Sequence, residues 1–273
     1  MQNKYLLVTL LFLLALLPSC EKNDPSVNAG RLRVKLTDAT DITIRELYLD
    51  IREISVYATD TASMEGEWVT LDYTGGEYNL LKWMNGKSLE IVNQYFPAGK
   101  TIQSARLVFG NNSRIHTVTD TIYSLHYPPE IIDGVVIDLA EPITIMPNVI
   151  SGLVIDVNAA LSIWEADGTY FLHPVARAFS ETYGSSLRGY VAPTIATASV
   201  VVIQDPDTLI TIPEEDGMFL FPGLQEGPWE IYLFAKPGTI YKDTAFIWNI
   251  EAPGMIDITP KPLQLPRQAA APN

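Results

Sequence analysis

The chain has 273 residues, 47% of them hydrophobic, and a formal net charge of −14 at pH 7. So acidic a surface repels phosphate backbones, which excludes nucleic acid as a partner, and charge would not hold the protein on an anionic membrane. Cys20 is the single cysteine, so no disulfide can form within the fold and stability has to come from apolar burial, for which the length suffices.

At the N-terminus Lys4 precedes an apolar run from Leu6 to Leu17, and a small residue, Ser19, stands immediately before Cys20. That is the layout of a secretory signal. The apolar run is about a dozen residues, against the ~20 that a membrane-spanning helix needs. With Leu17 three residues before the cysteine and Ser19 one before, the segment resembles a bacterial lipoprotein signal, from which Pro18 departs. The resemblance implies that residues 1–19 are removed and that Cys20 carries the lipid. Two or more acyl chains are enough for stable membrane attachment. Residues 20–29 are polar and small and read as a flexible tether. Within them Glu21-Lys22-Asn23-Asp24 resembles the acidic surface-export signals of Bacteroidota lipoproteins.

From Gly30 onward the pattern is that of short strands. Leu32 to Leu36 alternates apolar and charged residues, as a strand with one wet face does. In the stretch Ile42 to Tyr57, Leu47, Leu49 and Ile51 share one face, whereas Ile54 and Val56 alternate out of phase with them. The phase change predicts a bulge near Arg52-Glu53. Further strands are predicted at Glu67–Leu71, Ile102–Phe109, Arg114–Thr119, Thr121–Leu125, Gly134–Ile137, Ile143–Ile145, Gly152–Val157 and Gly168–Ala178. Short helical turns are predicted over residues 79–86, ending at Asn85-Gly86, and from Asn158 to Trp164. After a junction at residues 181–186, strands are expected at Leu187–Val191, Ala198–Ile203, Thr208–Ile212, Met218–Phe221, Trp229–Ala235 and Met255–Ile258, with turns at Asp205-Pro206-Asp207 and Glu214–Gly217. Turn signals every 8–12 residues call for an all-β chain of two β-sandwich domains in tandem, 30–183 and 187–265, with a disordered tail over 266–273.

The first of these regions carries Gly30-Arg-Leu-Arg-Val-Lys-Leu-Thr-Asp38-Ala39, then Leu47 to Val56, Trp68, Tyr78-Asn-Leu-Leu81 with Asn85-Gly86, and Pro97-Ala-Gly99. Later come Val154-Ile-Asp156-Val-Asn158, Leu161-Ser-Ile163 and Tyr170 to Val175. In order and spacing these resemble the "domain of unknown function 4382" family of bacterial lipoproteins over about residues 30–180. Thr40 and Asn158 depart from that family's pattern. The second region, with Leu187-Arg-Gly189-Tyr-Val191, Asp216-Gly217-Met-Phe219, Pro222-Gly-Leu224 and Gly227-Pro-Trp229, resembles a carboxypeptidase-regulatory-like, prealbumin-type β-sandwich. That resemblance implies a fold and no peptidase activity. Similar sandwiches recur in fimbrial and outer-membrane lipoproteins of Bacteroidota.

Motifs for chemistry are sparse. There is no Gly-x-Ser-x-Gly, His-Glu-x-x-His, Cys-x-x-Cys or glycine-rich phosphate loop. Of the histidines, His116 and His126 sit on a predicted hairpin and fall on opposite faces if its loop is even in length, on one face if it is odd; His173 precedes Pro174. Asp156 and Asn158 share a strand face and, with Asp38, are the candidates for a bound Ca²⁺, the alternative being hydrogen bonds to a neighbouring turn. The loop acids Glu214, Glu215, Asp216, Asp205 and Asp207 lack EF-hand spacing. Trp83, Trp164, Trp229, Trp248 and the tyrosines are candidates for stacking on sugars or for core positions.

These features point to a non-catalytic, lipid-anchored protein of the cell envelope, at the periplasmic face of the outer membrane or the cell surface, with no cofactor. Its partners would be the membrane, through the lipid on Cys20, and envelope proteins or glycans. The expected role is structural, adhesive or in assembly. The alternative is a carbohydrate-binding lipoprotein of a nutrient-uptake system, which requires two or three coplanar exposed aromatic rings.

Overall fold

The computed structural model describes residues 26–39, 43–251 and 253–268. Residues 1–25, which include the segment read as a signal and Cys20, the residue expected to carry lipid, lie outside the described residues. The chain is all-β, and its strands enclose two hydrophobic cores.

Around the first core run β1 (Ala29–Ala39), β2 (Ile44–Asp60), β3 (Gly66–Thr70), β4 (Gly76–Asn79), β5 (Leu89–Pro97), β6 (Lys100–Phe109), β7 (Arg114–Thr117), β8 (Ile122–His126), β9 (Val135–Thr144), β10 (Ile150–Asn158), β11 (Ile163–Ala166), β12 (Thr169–Leu172) and β13 (Ala176–Ser180). Their order across the sheet is β11-β12-β8-β7-β2-β6-β9-β13-β10-β1-β5, with β3 and β4 on the far edge of β2. β9 pairs with β6 on one side and with β13 on the other, so the sheet turns over the core there. Leu32, Val34 and Leu36 of β1 and Leu153, Ile155 and Val157 of β10 all point into this core. β1 and β10 are parallel neighbours. β10 is also buried on its second face, where Val154, Asp156 and Asn158 lie.

β2 is the 17-residue spine. Leu47, Leu49 and Ile51 face inward, and so do Ile54, Val56 and Ala58, although the two triplets are out of phase in sequence. The pairing of β2 with β6 slips between Ile51 and Glu53. This is the predicted bulge, which absorbs the odd residue and returns the apolar side chains to the interior.

Around the second core lie β14 (Ser185–Ala192), β15 (Thr197–Gln204), β16 (Asp207–Thr211), β17 (Met218–Leu224), β18 (Gly227–Ala235), β19 (Thr244–Ile250), β20 (Gly254–Asp257) and β21 (Leu263–Gln264). They form two sheets, β17-β14-β20 with β21 attached, and β16-β15-β18-β19. Between the sheets pack Leu187, Val191, Val200, Val202, Phe219, Phe221, Ile231, Leu233 and the fully buried Trp229, whose indole N–H donates to Gln225 O at 3.0 Å.

Several expectations need correction. The strand expected over Gly168–Ala178 is broken at His173-Pro174 into β12 and β13, while two separate predicted strands merge into β9. β5 and β19 were not expected. Asn28 and Ala29, assigned to the tether, accept backbone hydrogen bonds from Ala98 and Asn148. Pro266 to Gln268, assigned to the tail, lie on residues 240–242: Lys242 donates to Pro266 O at 2.9 Å and Gln268 to Ile240 O at 2.7 Å. The remainder of both segments lies outside the described residues.

Side chains alternate with period two, and Arg52 is the extra residue that puts Ile51 and Ile54 out of phase, since Ile51 pairs with Phe109 and Glu53 with the next residue, Val108. Deleting the exposed Arg52 is therefore expected to remove the bulge while leaving Ile54, Val56 and Ala58 facing inward, so that the chain still folds, read as retained near-UV circular dichroism with a stability loss of about 1–3 kcal/mol. Arg52→Ala, which keeps the count, changes stability by no more than about 0.5 kcal/mol.

Candidate functional site

The densest group of buried polar side chains lies where the two cores meet. Asp156 on β10 and Arg177 on β13 are cross-strand partners. The Arg177 guanidinium donates to Asp156 Oδ2 from Nε at 2.9 Å, with Nη2 2.8 Å from the same oxygen. It also donates to Gly223 O from Nη1 at 2.8 Å and to Pro222 O from Nη2 at 2.7 Å. One side chain thus ties a carboxylate of the first core to the backbone of β17 in the second. Gly223 has φ +64°, and a Cβ there would stand 2.6 Å from the Phe179 ring, so only glycine lets β17 approach β13 this closely.

Asn158 donates from Nδ2 to Thr208 O at 2.7 Å, while its Oδ1 caps the helical turn Ala159–Ser162 by accepting from Leu161 N at 3.2 Å. Asp38, on β1 beside these residues, accepts from Ala159 N at 3.3 Å. The three calcium candidates are therefore all buried, and Asp156 and Asn158 are engaged in ion-pair, capping and inter-core contacts. Among the described residues no group of three His, Cys, Asp or Glu side chains is placed to hold a metal ion.

A second tie comes from the loop after the 3-10 turn Leu80–Lys82. Asn85 (φ +54°) and Gly86 (φ +77°) form the centre of a tight turn closed by Lys87 N donating to Met84 O at 3.1 Å. The Asn85 amide donates to Ile212 O at 2.9 Å, and its oxygen accepts from the Thr211 hydroxyl at 3.0 Å and from Leu220 N at 3.3 Å. Lys87 pairs with Glu214 at 2.7 Å. Two clefts flank this seam, of about 70 Å³ beside Asp156 and Asn158 and about 210 Å³ between Lys35 and Pro222.

Over the larger cleft, Glu181 reaches across β10 at Gly152 to Lys35 (2.5 Å) and Arg33 (2.8 Å) on β1. Partial burial pushes its carboxyl up, but hydrogen bonding and charge from Lys35, with Arg33 behind, outweigh burial and hold it below its ordinary 4.5. Buried phenols move the other way. Burial lifts Tyr127 to about 12, although its hydroxyl donates to Ser113 Oγ at 2.5 Å. Tyr73 is raised as well, by burial and then by its hydrogen bond to Tyr78. Neither phenol ionises near neutral pH, so neither is an activated base or nucleophile.

The loop of the β7–β8 hairpin is odd: His116 pairs with Ile122, and the three residues Val118, Thr119 and Asp120 (φ +65°) are flanked by the Thr117 N to Thr121 O bond. His116 and His126 therefore share a face, which corrects the even-loop reading. They stay apart because His126 lies four residues beyond Ile122, roughly 13 Å along the strand. His116 is held between Glu46 (3.3 Å) and Asp120 (2.9 Å), and His126 packs on Phe171 with ring centroids 6.0 Å apart. His173 is exposed.

Trp229 is core, and Trp83 and Trp248 are half-buried. Trp164 is 43% exposed and Trp68, which was not among the sugar-stacking candidates, 38%. Trp164 lies ring on ring with Phe171, at 5.3 Å and 16°, so these rings cover one another instead of forming a flat platform.

The family model described as "Domain of unknown function (DUF4382)" matches residues 29–174, the region that contains Asp38, Asn85 and Asp156. The chain belongs to this family. It has no match among curated proteins. Among solved structures it is similar to the TIE protein of Bacillus anthracis at 11% identity and TM-score 0.25, over 87% of this chain and 34% of that one. The chain thus spans about a third of that protein's length. It is also similar to the shaft pilin SpaA of Lactobacillus rhamnosus GG, at 10% identity and TM-score 0.25, over 89% of this chain and 100% of that one. For BcpA, the major pilin subunit of Bacillus cereus, the values are 10% identity and TM-score 0.25, over 88% of this chain and 70% of that one. Scores of this size do not superpose the folds and say nothing of function.

Arg177→Ala would leave the Asp156 carboxylate buried without its cation, and is expected to lower unfolding stability by about 3–5 kcal/mol in a urea titration. A depressed carboxyl contributes stability above its ordinary pKa and loses it as pH falls through the lower folded value. Glu181→Gln should therefore cost up to about 1 kcal/mol at pH 7, and the difference from wild type should vanish as thermal melts are taken well below pH 4.5.

Proposed function

We propose that the protein is a non-catalytic, lipid-anchored component of the cell envelope with a structural, adhesive or assembly role. The seam carries this reading. The buried polar side chains Asp156, Asn158 and Asn85, with the partly buried Arg177, are engaged in holding one core against the other. That arrangement suits a part that must keep its shape at the end of a tether. The sequence supplies the tether and, at Cys20, the attachment point. No described helix is long and apolar enough to cross a membrane, so covalent lipid is the means of attachment this reading requires. The second core is read as a prealbumin-type sandwich serving as a further rigid module.

Carbohydrate binding has less support. It calls for coplanar rings open to solvent, whereas Trp164 stacks on Phe171 and Trp68 packs edge-on to Tyr57 at 5.5 Å and 60°.

The lipid reading is tested by metabolic labelling with a radioactive fatty acid in a bacterial host. The wild-type chain is expected to incorporate label and to fractionate with membranes. Cys20→Ser should lose the label and appear in the soluble fraction. Equal labelling of both, or membrane retention of the unlabelled variant, would count against the anchor.

A further inference from the structure

The free edges of these sheets are guarded in different ways, and one is not guarded at all. An open edge offers unpaired N–H and C=O groups to any passing strand, and proteins blunt it with charge, proline or brevity. β5 carries Glu90 and ends at Pro97, β3 carries Glu67, β16 begins at Asp207, and β17 contains Pro222. β4, β11 and β20 have four residues each. β19 has seven, Thr-Ala-Phe-Ile-Trp-Asn-Ile, with no charge, no proline and no glycine. Among the described residues its backbone pairs with β18 alone. Ile247 is 67% exposed, and on the same face Tyr232 and Phe234 of β18 stack at 6.1 Å, with Phe234 39% exposed. On this face the edge strand itself is uncharged, and the charge beside it, Glu230 of β18 opposite Ile247, accepts a hydrogen bond from the Tyr232 hydroxyl at 2.6 Å.

We propose that β19 pairs antiparallel with β19 of a second copy of this chain, about a two-fold axis at Phe246. Two four-stranded sheets then become one continuous sheet of twice the width. Directly opposed residues must lie on the same face, which limits the register to steps of two. An axis at Ile247 would set Asp243 against Glu251 of the second copy at both ends, a like-charge contact that disfavours it. An axis at Phe246 sets Phe246 against Phe246, Ala245 against Ile247, Thr244 against Trp248 and Asp243 against Asn249, with no like charges opposed. For a chain of net charge −14, approach between copies is repulsive over most of the surface, and an uncharged seam is where they can meet. A two-fold contact uses the same patch on both copies, so association closes at two.

The inference refines the assembly role proposed above, and its test is independent of that of the anchor. The full chain, with Cys20 and the residues before it in place, would be studied in detergent by sedimentation equilibrium. Wild type is expected to dimerise with a Kd in the micromolar range. The double variant Ala245→Lys with Ile247→Lys sets lysine against lysine and should weaken the dimer by about 100-fold or more. The double variant Ala245→Glu with Ile247→Glu should behave likewise. Mixing the two variants should restore a dimer, because each lysine then faces a glutamate, and only folded copies can do so. A monomeric wild type, a lysine variant that still dimerises, or a mixture that stays monomeric overturns the proposal. Cys20 labelling would be unaffected by any of these results.

Discussion

The first core depends on how β2 runs through it. A strand of 17 residues is longer than one face of a small sandwich, and β2 has a different set of neighbours along each stretch. β7 and β4 flank its first half, and β6 and β3 its second. A strictly alternating strand of that length would carry its apolar side out of the core once the sheet curved. The slip between Ile51 and Glu53 changes which parity of residue faces inward at the point where the neighbours change. The same two triplets, Leu47-Leu49-Ile51 and Ile54-Val56-Ala58, then serve one interior. Buried Ser55, on the face opposite Ile54 and Val56, donates to Glu53 at 2.8 Å, so its hydroxyl is paired.

The second constraint is set by β10, which is buried on both faces. A strand so placed normally reads as an unbroken apolar run. Here one face is apolar and the other carries Val154, Asp156 and Asn158, which must find partners or be destabilising. The partners come from different places: Arg177 from the next strand, Thr208 O from the second core, and the backbone of the helical turn that follows. A buried ion pair of this kind contributes little net stability over an apolar pair. What it does impose is geometry, because the guanidinium satisfies Asp156 and two β17 carbonyls together only when β13 and β17 stand at one separation. Gly223, with no side chain to interpose against Phe179, permits that separation.

Much of this was legible in the sequence where one face of a strand is wet. The β2 bulge, the strands around Leu32 and Ile102 and the turn at Asn85-Gly86 follow from alternation and turn chemistry alone. β5 was missed because Val92 and Phe96, its buried residues, stand four apart with Asn93 and Gln94 between them, and period two is lost. β19 was missed for the opposite reason: Ala245 to Trp248 are apolar on both faces, although Pro237-Gly238 and Pro253-Gly254 on either side bracket a strand-length segment. Asp156 and Asn158 were legible as an unusual polar pair on one face. Their roles were not, since the partner Arg177 is remote in sequence and the register that pairs them is a tertiary fact. An Arg inside the otherwise apolar Ala176-Arg-Ala-Phe179 was the available sign, as an opposite charge within a second apolar strand.

The distribution of charge links the fold to its setting. Of the acidic side chains near the seam, Asp156, Glu214 and Glu181 pair with Arg177, with Lys87, and with Lys35 and Arg33, while others, such as Glu65, Glu67 and Glu226, face solvent. A surface of one sign keeps copies apart except where charge is lacking. It also gives the protein no net electrostatic attraction to an anionic bilayer. The uncharged edge proposed for self-association and the lipid proposed at Cys20 would meet one condition: neither relies on charge to bring a chain this acidic to another copy or to a membrane.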